Sequence, residues 1–355
     1  MNLRRGPLAA LIVAVAFSAA VVAQDKKQSD AQKKEIQNVV KIVDGMATGQ
    51  PAPNDLQLTW IREDLLKAQG NKQYVPFTVS LDPSKVSGGN VALYWRVVAK
   101  DAAAAATAPP PATAKKDDKD KDKDKDKKKS EYAYEDIAFV PVTAGQSPMR
   151  MSRSFTVPAG AYDVYVVAKE PTPEKAPKNA SPPKLSALKQ TVNVPDFWNG
   201  DLSTSTVIVA TRIDPLPAPL TPQQQADRPY ALGLMEIVPA YDTKFTKKSE
   251  LSTFMLIYNP KVDAANKPDV TVEYNFYQKP AGQPEKFFNK TSPQSLNAQT
   301  LPPNFDFAQG HQLQSGQAVP LASFPEGDYR LEIKVTDKIA NKTLTRDVNF
   351  TVGPS

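Results

Sequence analysis

The chain contains no cysteine and a single histidine, His311, among its 355 residues. The absence of cysteine excludes disulfide bonds, thiolate metal sites and lipid anchoring through an N-terminal cysteine. One histidine excludes zinc sites built on two or three histidine ligands, and a Ser-His-Asp triad would have to use it. No Gly-x-Ser-x-Gly motif accompanies His311, which we interpret as a surface loop residue. We therefore predict no metal and no cofactor, and we expect packed cores alone to stabilise the protein.

Little net charge remains once two segments are set aside. The formal net charge is +6, but Arg4 and Arg5 lie in a predicted leader, and the Lys/Asp tract at 115–129 holds nine lysines against six aspartates. The rest of the chain then carries +1. Nucleic-acid binding needs a basic patch on a folded face with aromatic or amide side chains nearby, so we predict no nucleic-acid partner.

Long apolar runs are also scarce, and the one at the N-terminus has the pattern of a secretory signal peptide. Residues 1–23 contain Arg4 and Arg5, the apolar run 8–15 and the sequence Val-Val-Ala at 21–23, so cleavage is expected before Gln24. No later stretch approaches the roughly twenty apolar residues that cross a bilayer. We predict an exported protein of the periplasm or the extracellular space, with no membrane span after cleavage. The absence of disulfides favours a bacterial source.

Residues 24–70 form a predicted N-terminal segment with one short helix. From Asp30 onward, apolar residues recur at helical spacing, and Gly45 marks the expected end of the helix. Residues 56–69 fit either a helical face or an alternating strand, and both interpretations stay open. The apolar positions of the predicted helix are Ile36, Val39, Val40 and Val43.

Two segments of the chain nearly repeat each other. Residues 157–167 (VPAGAYDVYVV) return as 324–334 (FPEGDYRLEIK), and each copy leads into a matching strand, at 188–194 and 344–350. In both copies a Pro-x-Gly-x-Tyr turn opens a strand. From Tyr329 onward, apolar and polar residues alternate, which predicts one buried and one wet face. The repeat predicts two copies of one β-sandwich unit.

Short strands separated by Pro, Gly and Asn turns, with almost no helix between them, favour antiparallel sandwiches. We predict an all-β fold of two antiparallel immunoglobulin-like β-sandwich domains, at 71–195 and 201–353, after the short helical segment. The Ala/Pro/Lys/Asp insertion at 101–130 buries too little apolar surface to offset chain entropy, so we expect a disordered loop there. The predicted strands are 74–81, 91–99, 132–142, 151–157, 162–169, 185–194, 206–213, 232–238, 251–258, 270–278, 286–289, 317–322, 329–337 and 343–352.

The segment 324–337 and the strand after it resemble the last two strands of immunoglobulin-like and fibronectin-III-like domains in secreted bacterial proteins. Residues 202–210, 237–239, Phe245 and 251–259 resemble the β-rich tails of secreted bacterial proteins that also carry a GWxTD motif or a von Willebrand A-like domain. The GWxTD string itself is absent. The resemblance implies a secreted β-sandwich, and it transfers no catalytic residues to this chain.

Two groups of acidic residues suggest chemistry, but a structural interpretation is favoured for each. Asp201, Ser203 and Ser205 match the D-x-S-x-S string with which von Willebrand A domains hold a divalent metal. Here the string precedes a predicted strand where that fold needs a helix, which favours a linker turn. Asp196 and Asp201 flank Trp198, as a carboxylate pair beside a sugar-stacking aromatic would do in a glycoside hydrolase. We favour an interdomain hinge.

Aromatic side chains on the predicted strands are the remaining candidates. We predict Tyr94, Tyr274 and Tyr277 as binding residues, because exposed aromatics stack on sugars or anchor protein partners. With no convincing catalytic set, we predict a non-enzymatic binding or scaffolding protein of the bacterial cell envelope that recognises a protein or a polysaccharide. Two alternatives stay open: a carbohydrate-active enzyme that uses Asp196 and Asp201, and a subunit of an envelope assembly whose unpaired edge strand accepts a partner strand.

Overall fold

The computed structural model describes residues 30–100, 132–142, 147–172 and 181–354. The predicted signal peptide at 1–23 and the predicted disordered insertion at 101–130 lie outside the described residues. The chain divides into two compact units between Asp196 and Phe197. The segment 222–229 belongs to the N-terminal unit, and the C-terminal unit comprises 197–221 and the residues from 230 onward.

The N-terminal unit is a sandwich of two four-stranded antiparallel sheets. In one sheet β3 pairs with β1, β2 and β6, and the other has the order β5-β4-β7-β8. The core between them includes Phe77, Trp95 and Phe155, and the Trp95 indole N–H donates to the carbonyl of Ser154 at 3.2 Å. The strands are β1 (Thr59–Glu63), β2 (Leu66–Ala68), β3 (Lys72–Leu81), β4 (Asn90–Ala99), β5 (Tyr134–Pro141), β6 (Met149–Val157), β7 (Gly160–Lys169) and β8 (Leu185–Val194).

The ambiguous segment 56–69 is extended rather than helical. It forms β1 and β2, and β2 turns back into β3 through Gly70 and Asn71, which have φ values of 70° and 58°. Glycine and asparagine are the residues that adopt positive φ most readily, and positive φ suits a tight hairpin. The apolar residues of 56–69 fit both a helix and a strand, and the turn at Gly70 and Asn71 favours the strand.

Helix α1 (Asp30–Ala47) lies on the outer face of the β5-β4-β7-β8 sheet. Val39 and Val43 pack there against Tyr94, among other residues. The expected end at Gly45 is wrong by two residues, since the Gly45 carbonyl still accepts from the N–H groups of Thr48 and Gln50. Positive φ, at 94°, is reached only at Gly49. Within the described part of the chain, no helix has the length and apolarity to span a bilayer.

The C-terminal unit also consists of two packed sheets. One has the order β11-β12-β10-β14-β18 with β9 on β14, and the other has the order β13-β20-β19-β15-β16 with β17 on β15. Among the described pairs of this unit, β13 with β20 is parallel and the others are antiparallel. The strands are β9 (Ser203–Thr204), β10 (Ile208–Pro215), β11 (Ala231–Leu232), β12 (Met235–Pro239), β13 (Lys244–Thr246), β14 (Glu250–Tyr258), β15 (Val270–Lys279), β16 (Lys286–Lys290), β17 (Gln294–Leu296), β18 (Leu313–Pro320), β19 (Gly327–Asp337) and β20 (Lys342–Gly353).

The prediction of an all-β, immunoglobulin-like fold with antiparallel sheets is confirmed. Some element boundaries differ from the prediction. The single strand expected at 232–238 is the hairpin β11-β12, which turns at Gly233 with φ of 64°, and the strand expected at 317–322 is displaced to β18. The segment 214–229, which is rich in Pro and Gln, contains a short helix, α2 (Pro222–Asp227). Its first residue is a proline, which is well suited to the first turn of a helix.

Candidate binding face

Two of the three predicted binding tyrosines are buried, and this corrects the expectation that they present aromatic faces. Tyr94 is 2% exposed because α1 covers the outer face of β4. Its hydroxyl donates to Glu135 at 2.6 Å and accepts from the guanidinium of Arg96 at 2.8 Å. Tyr94 therefore helps to hold the helix on its sheet.

Tyr274 points into the core of the C-terminal unit. The buried positions of β15 are Val270, Val272, Tyr274 and Phe276, which follow the two-residue period of a strand. The Tyr274 hydroxyl lies 2.8 Å from the Ser315 hydroxyl of β18, and burial raises the pKa of the phenol to about 12. This tyrosine links the two sheets of its sandwich and is not available to a ligand.

Tyr277 lies on the opposite face of β15 from Tyr274. We call this surface of the β13-β20-β19-β15-β16 sheet the outer face; it carries Tyr277 and Lys279 of β15, Asp328 and Arg330 of β19, and Asn349 of β20. The guanidinium carbon of Arg330 lies 4.5 Å from the centre of the Tyr277 ring. Because the cation covers one side of the ring, Tyr277 offers less aromatic surface than the sequence suggests.

Phe287 supplies the exposed aromatic surface instead, and the sequence analysis missed it. Its side chain is 58% exposed, and its ring meets the edge of Tyr277 with centroids 5.8 Å apart and planes at 81°. Phe288, the next residue of β16, packs into the core. The signal was present, since successive residues of a strand point to opposite faces, so one of two adjacent phenylalanines had to face solvent.

Arg330 is held by three carboxylates. Its guanidinium donates two hydrogen bonds to Glu285, at 2.6 and 3.0 Å, and one each to Asp347 at 2.7 Å and Glu332 at 3.3 Å. The hydrogen bonds to Glu285 are the main cause that raises the pKa of Arg330, and the same contact lowers the pKa of Glu285. The arginine is therefore a fixed support for the Tyr277 ring, with its charge already matched.

A pocket of about 250 Å³ opens on the same face. Two hydrogen-bonded pairs line it: the Lys279 ammonium donates to Asn349 at 2.7 Å, and the Thr351 hydroxyl donates to Asp328 at 2.6 Å. Asp328 and Asn349 are exposed, and Lys279 is half-buried. The complete lining is Thr243, Lys279, Asp328, Tyr329, Asn349, Phe350 and Thr351, and we call it the Lys279 pocket.

The other sequence candidates serve structural roles. Asp201 forms an ion pair with Lys342 at 2.5 Å, and the Ser205 hydroxyl accepts from the Leu256 N–H and donates to the Thr206 carbonyl, both at 2.9 Å. The string is therefore not the expected linker turn, since Ser203 and Thr204 form β9 on β14, and these contacts show no converging ligand set. Within the described ranges, no group of three or more His, Cys, Asp or Glu side chains is arranged to hold a metal ion.

Asp196 belongs to the N-terminal unit and Asp201 to the C-terminal unit, so the two members of the suggested carboxylate pair lie in different bodies. The negative charge of Asp196 acts on Lys67 of its own unit. His311 lies in a loop, where its Nδ1 accepts from the Asp306 N–H at 3.0 Å. This contact fits the structural interpretation of the histidine.

No protein-family model matches the chain, and no curated protein matches it. Among solved structures, it is similar to Escherichia coli alpha-2-macroglobulin activated by porcine elastase, with 12% identity over 81% of this chain and 22% of that chain and a TM-score of 0.23. Salmonella alpha-2-macroglobulin reacted with methylamine has 12% identity over 86% of this chain and 17% of that chain, with a TM-score of 0.20. The chain thus spans a fifth or so of these proteins. At such scores the likeness says nothing about function.

Proposed function

We propose that the protein is an exported, non-enzymatic binding or scaffolding module of the bacterial cell envelope, which recognises its ligand through the outer face. The observation that carries this proposal is the exposure of Phe287, at 58%, beside Tyr277 on the outer face. Phe287 and Tyr277 are in ring contact and so form a small aromatic patch, and aromatic residues are enriched at binding surfaces. The Tyr277 ring contacts Phe287, and Arg330 in turn holds the Tyr277 ring.

The favoured ligand is a polysaccharide. Sugar rings present an apolar face and a rim of hydroxyls, and a site for them combines an aromatic platform with a few placed polar groups. The outer face carries both, with Phe287 as the platform and the Lys279 pocket as the polar group. A protein ligand is the second candidate. It is favoured by the position of β16, which ends its sheet and pairs, among the described strands, with β15 alone.

The carboxylates of this face support binding rather than hydrolysis. A glycoside hydrolase needs two carboxyl groups, one of which is protonated near neutral pH because its pKa is raised. Glu285 has the opposite shift, since its hydrogen bonds from Arg330 lower its pKa. Asp347 and Glu332 are also committed to Arg330. These contacts argue against the carbohydrate-active enzyme as the function of this face.

The location in the proposal depends on the signal-peptide pattern at 1–23. The resemblance of 202–210 and 251–259 to the tails of GWxTD or von Willebrand A-like proteins remains part of the proposal, and it agrees with a secreted module.

The test is affinity gel electrophoresis of the chain from Gln24 onward through gels that contain single soluble polysaccharides. Phe287→Ala is compared with Phe139→Ala, which removes another exposed phenylalanine, 40% exposed, from the N-terminal unit. We expect at least one polysaccharide to retard the wild type and Phe139→Ala, and Phe287→Ala to lose about ten- to a hundredfold in affinity, since burying an aromatic ring stabilises a complex by on the order of 1.5–3 kcal/mol. Equal retardation of both variants would contradict the proposal.

The protein alternative has a distinct signature in the same material. The wild type, Phe287→Ala and Phe139→Ala are each used to capture proteins from an envelope extract. A single protein that wild type and Phe139→Ala retain and Phe287→Ala loses, with no polysaccharide retarding any of them, would assign the face to a protein partner.

A further inference from the structure

We propose that the Lys279 pocket is a sugar subsite, and that the outer face binds an uncharged polysaccharide with one sugar in this pocket and a neighbouring sugar on Phe287. This inference rests on the proposed function, and it assigns one sugar to the pocket and narrows the ligand to uncharged polysaccharides. The pocket lies where β15, β19 and β20 run side by side, and the buried residues Tyr329 and Phe350 contribute to its lining.

The pocket presents hydrogen-bond donors next to an acceptor. Lys279 and Asp328 are directly paired across β15 and β19, so their side chains start about 5 Å apart on one face. Lys279 gives one of its three ammonium protons to Asn349, and Asp328 accepts from Thr351 with one of its two oxygens. These two hydrogen bonds therefore leave two ammonium protons of Lys279, the amide protons of Asn349 and the second carboxylate oxygen of Asp328 unused.

Such a set matches adjacent hydroxyl groups on a sugar ring. A hydroxyl donates one proton and accepts through its lone pairs, so one hydroxyl can donate to Asp328 while its neighbour accepts from Lys279 or Asn349. The two internal pairs hold the side chains in place before the ligand arrives, which lowers the ordering cost of binding.

The aromatic platform lies within reach of the same ligand. Tyr277 precedes Lys279 by two residues on one face of β15, a spacing of about 7 Å along the strand. The Phe287 ring lies a further 5.8 Å from that of Tyr277. The distance from the pocket to Phe287 therefore exceeds one sugar ring, so the ligand is a chain of sugars rather than a single one.

The charges of this region favour an uncharged polysaccharide over an acidic one. Arg330 is paired with Glu285, Asp347 and Glu332, and Asp328 lies opposite Lys279 in the strand register, so carboxylates outnumber cations here. An acidic polysaccharide would place its carboxylates beside these four acidic groups, and like charges at short range weaken binding. Uncharged hydroxyl-bearing sugars incur no such penalty.

The test uses the chain from Gln24 onward and three probes in affinity gels: laminarin and yeast mannan, which are uncharged, and alginate, which is acidic. The variants Lys279→Met and Asp328→Ala remove the polar groups of the pocket. Lys334→Met is the matched control, because Lys334 lies on the same sheet face in an exposed pair with Glu273 at 3.5 Å. We expect an uncharged probe to bind, both pocket variants to lose about tenfold in affinity, and Lys334→Met to bind like the wild type.

The outcomes separate the subsite from the proposed function. If Phe287→Ala loses binding while Lys279→Met and Asp328→Ala bind like the wild type, the subsite is overturned and the binding face stands. If alginate alone binds, the assignment to an uncharged ligand is overturned. If none of the three probes retards the wild type at millimolar sugar concentrations, the subsite is rejected, and the wider polysaccharide panel then decides the proposed function. Circular dichroism spectra that match the wild type exclude misfolding of the variants.

Discussion

The hydroxyl of Tyr329 donates a hydrogen bond of 2.8 Å to the carbonyl oxygen of Pro325, four residues earlier in the chain. Tyr162 makes the same bond to the Pro158 carbonyl at 3.0 Å, and both tyrosines are fully buried. A tyrosine that bonds back to the chain just upstream is a known corner of immunoglobulin-like sandwiches. The near-repeat of the sequence thus encodes the same corner in each unit, at the start of the first strand of the pairs β7-β8 and β19-β20.

The first prediction concerns this corner. Tyr329→Phe removes the hydroxyl and with it the hydrogen bond to the Pro325 carbonyl, so the free energy of unfolding of the C-terminal unit should fall by about 1 kcal/mol. Tyr162→Phe should have the same effect on the N-terminal unit. Hydrogen exchange read separately for β7-β8 and β19-β20 measures both. Tyr277→Phe, whose ring lies on the outer face, is the control. Unchanged exchange in the hairpin of the altered corner would refute the structural role.

The second prediction concerns the anchoring of α1. Glu35 and Lys169 form an ion pair with both side chains 7% exposed, and Glu35 also accepts from the Thr172 hydroxyl at 3.0 Å. Glu35→Ala leaves a buried ammonium without its carboxylate, which costs about 3–5 kcal/mol. We expect a lower urea midpoint and faster hydrogen exchange in α1.

The control for that experiment is an exposed ion pair. Arg212 and Asp214 form one at 2.7 Å with side chains 66% and 42% exposed. Asp214→Ala should change the free energy of unfolding by less than about 1 kcal/mol, because water and salt screen such pairs. If Glu35→Ala and Asp214→Ala lower the free energy of unfolding equally, burial of the pair between Glu35 and Lys169 does not add to stability.

The third prediction concerns alkaline pH. Burial raises the pKa of Tyr162 and of Tyr274 to about 12, while a tyrosine in the unfolded chain ionises near pH 10. Between about pH 10 and 12 the unfolded chain therefore releases protons that the folded chain retains, so stability falls as pH rises. Below about pH 10 this contribution is fully present. Absorbance at 295 nm should rise in two steps, the later one together with loss of the far-ultraviolet circular dichroism signal.

The variants Tyr162→Phe and Tyr274→Phe should each reduce the amplitude of the later step. Ionisation of all tyrosines in a single step near pH 10, with the circular dichroism signal intact, would contradict the burial of these two rings.

Local periodicity was sufficient to predict most of the strands. The strand predicted at 185–194 has the observed bounds of β8, and the alternation after Tyr329 matches the buried positions of β19. In a strand, apolar residues lie on the buried face and polar residues on the exposed face, so the alternation of neighbouring residues is enough to identify the strand. The predicted end of α1 at Gly45 was less accurate, because a glycine stops a helix only where the backbone reaches positive φ.

The candidate site was less predictable, because it depends on which face of each strand is covered. Tyr94 is on the outer side of its sheet, as its position in the strand suggests, yet α1 buries it. Tyr274 and Tyr277 are three residues apart on β15 and therefore face opposite ways, and sequence alone did not say which of them faces the core. Phe287 was overlooked for the same reason, since its exposure depends on Phe288 turning inward.

By itself, the sequence determined the all-β class, the repeated corner and the positions of most strands along the chain, since these follow from turn residues and from the two-residue period of the backbone. The tertiary structure alone decided the composition of the outer face. Lys279, Asp328 and Asn349 come from three strands that are distant in the chain, and they line one pocket only because β15, β19 and β20 pair in a particular register. The register of these strands is set by the packing of their buried face. Core residues that do not contact a ligand therefore determine where the groups of the outer face lie.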